Sequence, residues 1–365
     1  MEDIFDIVSF LKKAVAMGAS DEHLRVGHPP YIRKDGIIWK VNIPPLTSEA
    51  LKDAINLILP ETLRDTVSSI NDIDFIYEIK GCSRFRINYS QQLAKPALVI
   101  RNIAYKVPTL EELELPHAIN QFTKLNNGIV LVTGPTGCGK SSTIASMIDT
   151  INEHYQKHII TLEDPVEFVF ANKKSVISQR QIGVDTESFA TGLKYVLRQD
   201  PDIILVGEIR DEDTMLAALK AAETGHLVFA TLHTNDAIQT INRIVNMFEQ
   251  SSREIIRRQV ASTLRGTIAQ KLVYSSKDKK RYPACEVMVV TPTVQDYILK
   301  DELDAIYDCL KEGSYNEMMT MSESLLKMVN EGKLTQEEAM NVVEDQNEFG
   351  QMLKGAFTGT ANYYE

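Results

Sequence analysis

At 365 residues, 44% hydrophobic and 24% charged, the chain is long enough for two domains that each bury a core, and its composition is that of an ordinary globular protein. Its 39 Lys and Arg against 50 Asp and Glu leave a formal net charge of -11, which argues against general nucleic-acid binding, since neutralising phosphates needs a basic surface. Cys82, Cys138, Cys285 and Cys309 form no Cys-x-x-Cys pair for zinc or redox work, and no apolar run approaches the roughly 18 residues of a membrane span. With an acidic Met1-Glu2-Asp3 start where a secretory signal would be basic, the expectation is a cytoplasmic protein with no transmembrane segment, reaching any membrane through partners.

In chain order, Ile4, Val8, Leu11 and Val15 fall on one helix face that ends at Gly18, and a second helix is predicted over 48–59. Strand-like runs at 37–41, 73–79, 84–89 and 97–103 make this part a small α/β domain with an antiparallel sheet and no nucleotide motif. Residues 106–116, rich in glutamate between two prolines, read as a linker or short connecting helix. Apolar runs at 128–133, 158–162, 202–207 and 227–232 then alternate with helical stretches, the pattern of a βαβ core with a largely parallel sheet. From about Thr293 the chain is helical and rich in Glu, Lys and Met, and 355–365 reads as a mobile tail.

The segment GPTGCGKS at 134–141 follows one of these strands and opens a helix-compatible stretch, matching G-x-x-x-x-G-K-[ST]. Gly134, Gly137 and Gly139 let the backbone wrap around phosphates, with Pro135, Thr136, Cys138 and Ser142 completing the cradle. Lys140 is expected to reach the β- and γ-phosphates of ATP, and Ser141 to bind Mg²⁺. Cys138 fills a variable position and is assigned no chemistry of its own.

Two carboxylate positions lie at strand ends. The run 203–206 is followed by Gly207 and then Glu208, which either orients the attacking water or supports the metal, and Glu163 and Asp164 end the run 159–162. The competing reading makes Asp164 a helix cap and Glu163 a surface group. His226 and His233 bracket the run 227–232 on opposite faces of an ideal strand and so do not share a metal; His233, at the phosphate edge, is the candidate γ-phosphate sensor. Arg84 and Arg86 share a strand face and Arg101 lies on a later strand; each either decorates a solvated surface or serves as an arginine finger to a phosphate site elsewhere.

Taken together these residues resemble the secretion and type IV pilus ATPases over almost the whole chain. ASDEHL at 19–24 with PPYIRKDG at 29–36 is similar to the opening of that family's N-terminal domain, and 134–141 to its Walker A loop. TLEDPVEF at 161–168 resembles its acidic box, LRQDPDIILVGEIRD at 197–211 its Walker B segment, and TGHLVFATLHT at 224–234 its histidine box. The resemblance implies a PAS-like α+β domain (1–105), a linker (106–116), a RecA-like P-loop ATPase core (117–290), a helical C-terminal region (291–354) and the tail. It also implies a homo-hexamer that hydrolyses ATP with Mg²⁺, catalytic roles for Glu163 and Glu208, and N-terminal arginines reaching the phosphates. The implied partner is an inner-membrane pilus platform protein.

The family's extension enzymes carry extra N-terminal domains and usually a four-cysteine zinc module, absent here, which points to the pilus-retraction branch and twitching motility. That branch's Ala-Ile-Arg-Asn-Leu-Ile-Arg-Glu helix is matched by TVQDYILK at 293–300, without either arginine. The rival readings are a divergent accessory or assembly ATPase, a slow nucleotide-switched ring scaffold and a RecA-like nucleic-acid motor. Intact Glu163 and Glu208 speak against the scaffold, and the net charge against the nucleic-acid motor.

Overall fold

A computed structural model describes residues 5–34, 36–63, 72–103 and 106–355. Ile4, Asp35 and the predicted tail beyond Gly355 lie outside the described residues. The chain divides into two compact units, Met1–Lys106 and Val107–Glu365.

In the first unit Asp6 sets the start of α1 (Ile7–Ala16) by accepting from the Ser9 N–H, one of the donors a helix leaves unpaired at its start. The buried stripe is Ile7, Phe10, Leu11 and Ala14, so the face predicted from Val8 and Val15 is rotated and those two lie at its edge. Strands β1 (Asp21–Arg25), β2 (Tyr31–Lys34) and β3 (Ile37–Lys40) precede α2 (Ser48–Ile58), which Thr47 caps. Strands β4 (Asp72–Ile79), β5 (Ser83–Gln92) and β6 (Lys95–Ile103) follow. Among the described residues these six strands form one antiparallel sheet in the order β3-β2-β1-β6-β5-β4. Inward-facing Leu24, Phe85, Ile87, Leu98 and Ile100 pack with the helices.

One buried group in this sheet has a pH signature. Glu22, with no solvent exposure, accepts from the Asn102 side chain at 2.7 Å, while its other oxygen and the Asn102 Oδ1 are buried without a hydrogen-bond partner among the described residues. Burial pushes the carboxyl up to about 8, against the pull of the Asn102 bond and with help from the Asp21 charge. A proton on Glu22 removes the buried charge and turns one of these oxygens into a donor. Because the folded value lies above the unfolded one, the stabilisation is full below the unfolded value of 4.5 and is lost as pH rises through about 8. The slope between them is up to about 1.4 kcal/mol per pH unit. Glu22→Gln is therefore expected to melt close to wild type at pH 5 and above it at pH 8; melting curves that shift in parallel with pH would contradict this.

In the second unit the chain runs from β7 (Gly128–Thr133) into α3 (Lys140–His154), β8 (His158–Glu163), β9 (Val176–Gln181), α4 (Phe189–Val196), β10 (Ile203–Val206), α5 (Glu212–Glu223) and β11 (Leu227–Leu232). After α6 (Ala237–Asn246) and α7 (Arg253–Thr263) comes the hairpin β12 (Leu264–Ser275) and β13 (Lys280–Val289). The helices α8 (Pro292–Lys300), α9 (Ala305–Glu312), α10 (Met321–Asn330), α11 (Gln336–Met340) and α12 (Gln346–Leu353) follow. The sheet order is β13-β12-β7-β11-β10-β8-β9, parallel throughout except for the β12–β13 pair.

Both faces of the middle of this sheet are covered, which is why β10 is apolar throughout and β7 and β11 nearly so. Leu131, Leu162, Val206 and Ala230 face a core built with α4 to α9, and Val130, Val132, Leu205 and Phe229 face Ile144, Met147 and Ile148 of α3. A further core joins Val273, Tyr282 and Ala284 of the hairpin to α10, α11 and α12. Residues 107–116 pack on this unit: Leu110 is buried on the α3 side, the Pro108 carbonyl accepts from Ser146 at 2.6 Å, and Glu114 pairs with Lys280 and Lys333.

Candidate nucleotide site

The order β7, β11, β10, β8 puts the C-terminal ends of four parallel strands side by side, and the residues singled out in the second unit's sequence, except His226, sit there or just beyond. Val206 pairs with Leu162, so Glu208 and Glu163 leave neighbouring strands at nearly the same level.

The loop 134–139 joins β7 to α3. Gly134 has φ +138, and a Cβ there would come within 2.3 Å of the Gln270 carbonyl oxygen. Gly139 is the N-cap of α3 with φ 96 and makes no side-chain cap, so the amide hydrogens of the first turn are left to whatever binds in front of them. Pro135, Thr136 and Gly137 are exposed, as is Ser141, while Cys138 is buried and burial pushes its thiol up. The Lys140 ammonium donates to the Gly134 and Pro135 carbonyls at 2.8 and 3.0 Å. Burial lowers its proton affinity, and Cys138, Glu208 and Glu167 act in the opposite direction.

Glu163 ends β8 and is buried; its carboxylate accepts from Thr161 at 2.7 Å, from the Gln179 amide at 3.0 Å and from the Glu167 N–H at 3.4 Å. Burial pushes its carboxyl above the usual carboxylate range despite these bonds. Glu208 differs: Arg210 at 2.6 Å holds its carboxyl below the usual value, and His233 Nε2 lies 3.0 Å from its other oxygen. One carboxyl thus favours its proton and the other its charge. Gly207 before Glu208 sits in a tight place, where a Cβ would lie 3.1 Å from the Leu162 oxygen and 3.3 Å from the Glu163 Cα.

His233 follows β11 at this edge, whereas His226 precedes β11 at the far edge and bonds the Ala221 carbonyl at 2.9 Å. The turn after His233 is tied down by the Thr234–Thr240 hydroxyl pair at 2.7 Å and by Glu286, which accepts the first N–H of α6 at 2.8 Å. Sequence reasoning passed over Thr161, Gln179, Glu167, Glu286 and Gln270. The polar residues inside otherwise buried strands, Thr161 and Gln270, were the signal available.

In the first unit Arg86 and Arg101 are directly opposite on β5 and β6, on the same sheet face as Arg84. Arg101 is held by Asp21 at 2.9 Å and Arg86 lies 3.8 Å from Asp74. The Nε and Nη1 of Arg84 are buried with no hydrogen-bond partner among the described residues.

Mg²⁺ bound with a nucleotide takes most of its ligands from phosphates and water rather than from a protein cage. The Ser141 hydroxyl and the Glu163 and Glu208 carboxylates are hard oxygen donors that suit it. Among the described residues no group of three or more His, Cys, Asp or Glu could hold a metal ion by itself.

Comparison with known proteins bears on this arrangement. The family described as type II/IV secretion system protein matches residues 80–354. The type IV pilus retraction ATPase PilT of Pseudomonas aeruginosa is 40% identical over 92% of this chain and 97% of its own length. A twitching motility protein of Neisseria gonorrhoeae is 38% identical over 92% of this chain and 90% of its own. A crystal structure of the pilus retraction motor PilT with bound ADP superposes with a TM-score of 0.88 at 40% identity, covering 95% of this chain and 99% of that one. The chain therefore belongs to the type II/IV secretion system proteins and, within them, to the PilT-like pilus retraction ATPases.

Proposed function

We propose that this protein hydrolyses ATP and, as a homo-hexameric ring, uses that energy to withdraw a type IV pilus, working in the cytoplasm against an inner-membrane platform protein. The observation that carries the chemistry is the uncapped N-terminus of α3 behind a glycine loop, facing a pair of carboxyls with opposite proton preferences. Loop amides and Lys140 bind the phosphates and neutralise charge as the γ-phosphoryl departs. Glu163, buried and with raised proton affinity, takes a proton from the attacking water. Glu208, kept ionised by Arg210, orients that water, and His233 reports the γ-phosphate through its contact with Glu208. Magnesium, when bound, neutralises phosphate charge, with Ser141, Glu163 and Glu208 as the residues to hold it.

The retraction assignment is tested in a deletion strain: surface pili should accumulate and twitching stop, and unchanged retraction would reject it. The exposed Leu299 and the Gln295 bonded to the Ala261 carbonyl occupy the two positions where the branch pattern carries arginine, on a helix that still buries Val294 and Ile298.

The arginines are proposed to act across a subunit boundary, each first unit presenting them to a neighbour's nucleotide. An Arg84, Arg86 and Arg101 triple alanine variant and Glu208→Gln are each expected to be nearly inactive as pure rings. After subunit exchange, phosphate release should recover, because a junction where the arginine variant holds ATP and the Glu208→Gln subunit donates arginines is complete. Proven mixing without recovery, in rings that tolerate some inactive sites, would reject donation in trans.

A further inference from the structure

We propose that Gln270 is a positioning residue for the phosphate loop, orienting the Cys138–Gly139 peptide so that its amide hydrogen faces the nucleotide. The proposal rests on the reading of 134–141 as the nucleotide site. Gln270 lies on β12, the strand next to β7, and outside every motif that defines the site. It is polar and 3% exposed, between the fully buried Ile268 and Ala269 and the buried Val273 of the same strand.

Its side chain makes two buried hydrogen bonds. The amide nitrogen donates to the Cys138 carbonyl at 2.8 Å, and the amide oxygen accepts from the Thr143 hydroxyl, in the first turn of α3, at 2.8 Å. In a trans peptide the carbonyl and the following N–H point in opposite directions. A Cys138 carbonyl held toward β12 therefore turns the Gly139 N–H away from β12, to the side where the uncapped first turn of α3 lies open.

The Thr143 bond fixes which end of the amide faces Cys138, since a hydroxyl donating to the oxygen leaves the nitrogen for the carbonyl. Backbone and side chain of Gln270 also bound the loop sterically. A Cβ at Gly134 would meet the Gln270 carbonyl oxygen at 2.3 Å, and one at Gly139 would come within 3.0 Å of the amide nitrogen. One residue thus touches the start of the loop, its apex and the helix behind it. Without the amide donor the Cys138 carbonyl is left unpaired in a buried place, and rotation of that peptide relieves it at the expense of the phosphate contact.

The test uses the full chain and MgADP, titrated calorimetrically, with thermal melting measured in parallel. Gln270→Met keeps the length and removes both bonds; its dissociation constant for MgADP should rise roughly 10- to 100-fold. Thr143→Val, the milder change, should raise it by about 3- to 10-fold, and the double variant should be little worse than Gln270→Met, as expected for two groups acting through one network. Gln270→Glu gives a readout that a merely structural role would not move. A protonated carboxyl can donate to Cys138 while accepting from Thr143, and an ionised one cannot. The deficit of Gln270→Glu relative to wild type should therefore shrink as pH is lowered from about 8 to 6, since burial raises a carboxyl's pKa.

Wild-type affinity in Gln270→Met would overturn the proposal. So would a pH-independent Gln270→Glu deficit, and this arm decides the matter if Gln270→Met does not fold. Failure of the wild type to bind MgADP would instead overturn the nucleotide-site reading itself.

Discussion

Lys140→Ala is expected to leave a folded protein that releases no measurable phosphate from ATP. The Lys140 ammonium makes two hydrogen bonds, both to carbonyls of its own loop, so its loss opens no apolar core and should change stability by no more than about 1 kcal/mol. The effect on chemistry is of another order. Lys140 is the loop's cation and lies within electrostatic reach of Glu208 and Glu167. Removing one preorganised charge that meets a developing negative charge costs on the order of 10²- to 10³-fold in turnover. The ground state also loses a charge-assisted bond, so ATP affinity falls as well. Phosphate release and calorimetric titration on the same preparation, with a circular dichroism melt, separate the two effects. Near-normal turnover would remove Lys140 from the mechanism.

Glu208→Gln is expected to separate binding from turnover. Glutamine has the shape of glutamate and retains one oxygen for Arg210 or His233, so the loop and its ATP affinity should be preserved. Turnover should fall by roughly 10²-fold or more because the negative charge that orients the water is gone, and ATP-bound protein should accumulate. Arg210 holds the Glu208 carboxyl below its usual range, so acidification to moderately acid pH leaves Glu208 charged. Glu163 is raised by burial, and the acid side of the pH–rate profile belongs to it. Glu208→Gln should thus lower the whole profile without moving its acid limb. Unchanged turnover would make Glu208 structural, and lost ATP affinity with no trapped complex would give it to metal support instead.

The second unit was legible where burial made the pattern strong. Residues 128–133 and 227–232 read as strands and are β7 and β11, because a strand covered on both faces is apolar at consecutive positions. The first unit hid β1, whose Asp21–Arg25 run is mostly charged; Asp21 and Glu22 have poor strand propensity and stay there through pairing with β2 and β6. The polar edge strand β9 was missed for a related reason, since an edge strand need not be apolar, and the mostly buried hairpin β12–β13 was missed because Thr267, Gln270, Lys271 and Glu286 break up its apolar runs. Of the site, the glycine loop was visible because its residues are contiguous and their spacing is dictated by phosphate geometry. The partners of Glu163 were not: Gln179 lies 16 positions away and meets it only because β9 pairs with β8 in register. The family resemblance carried what spacing could not, and the match over residues 80–354 agrees with it.

The absent cap on α3 reaches beyond catalysis. A serine, threonine or aspartate at an N-cap commonly adds about 1 kcal/mol to a protein's stability over alanine and a few tenths over glycine. Gly139, at φ 96, makes no such bond, so the first-turn amides of this helix, on which the β7 side of the sheet packs, are open to an anion from outside the chain. Folding and ligand occupancy are then one linked equilibrium: a nucleotide present at 100 times its dissociation constant adds about 2.7 kcal/mol to the folded state. The resistance of the protein to heat and proteases is therefore expected to rise with the concentration of nucleotide, ADP as well as ATP.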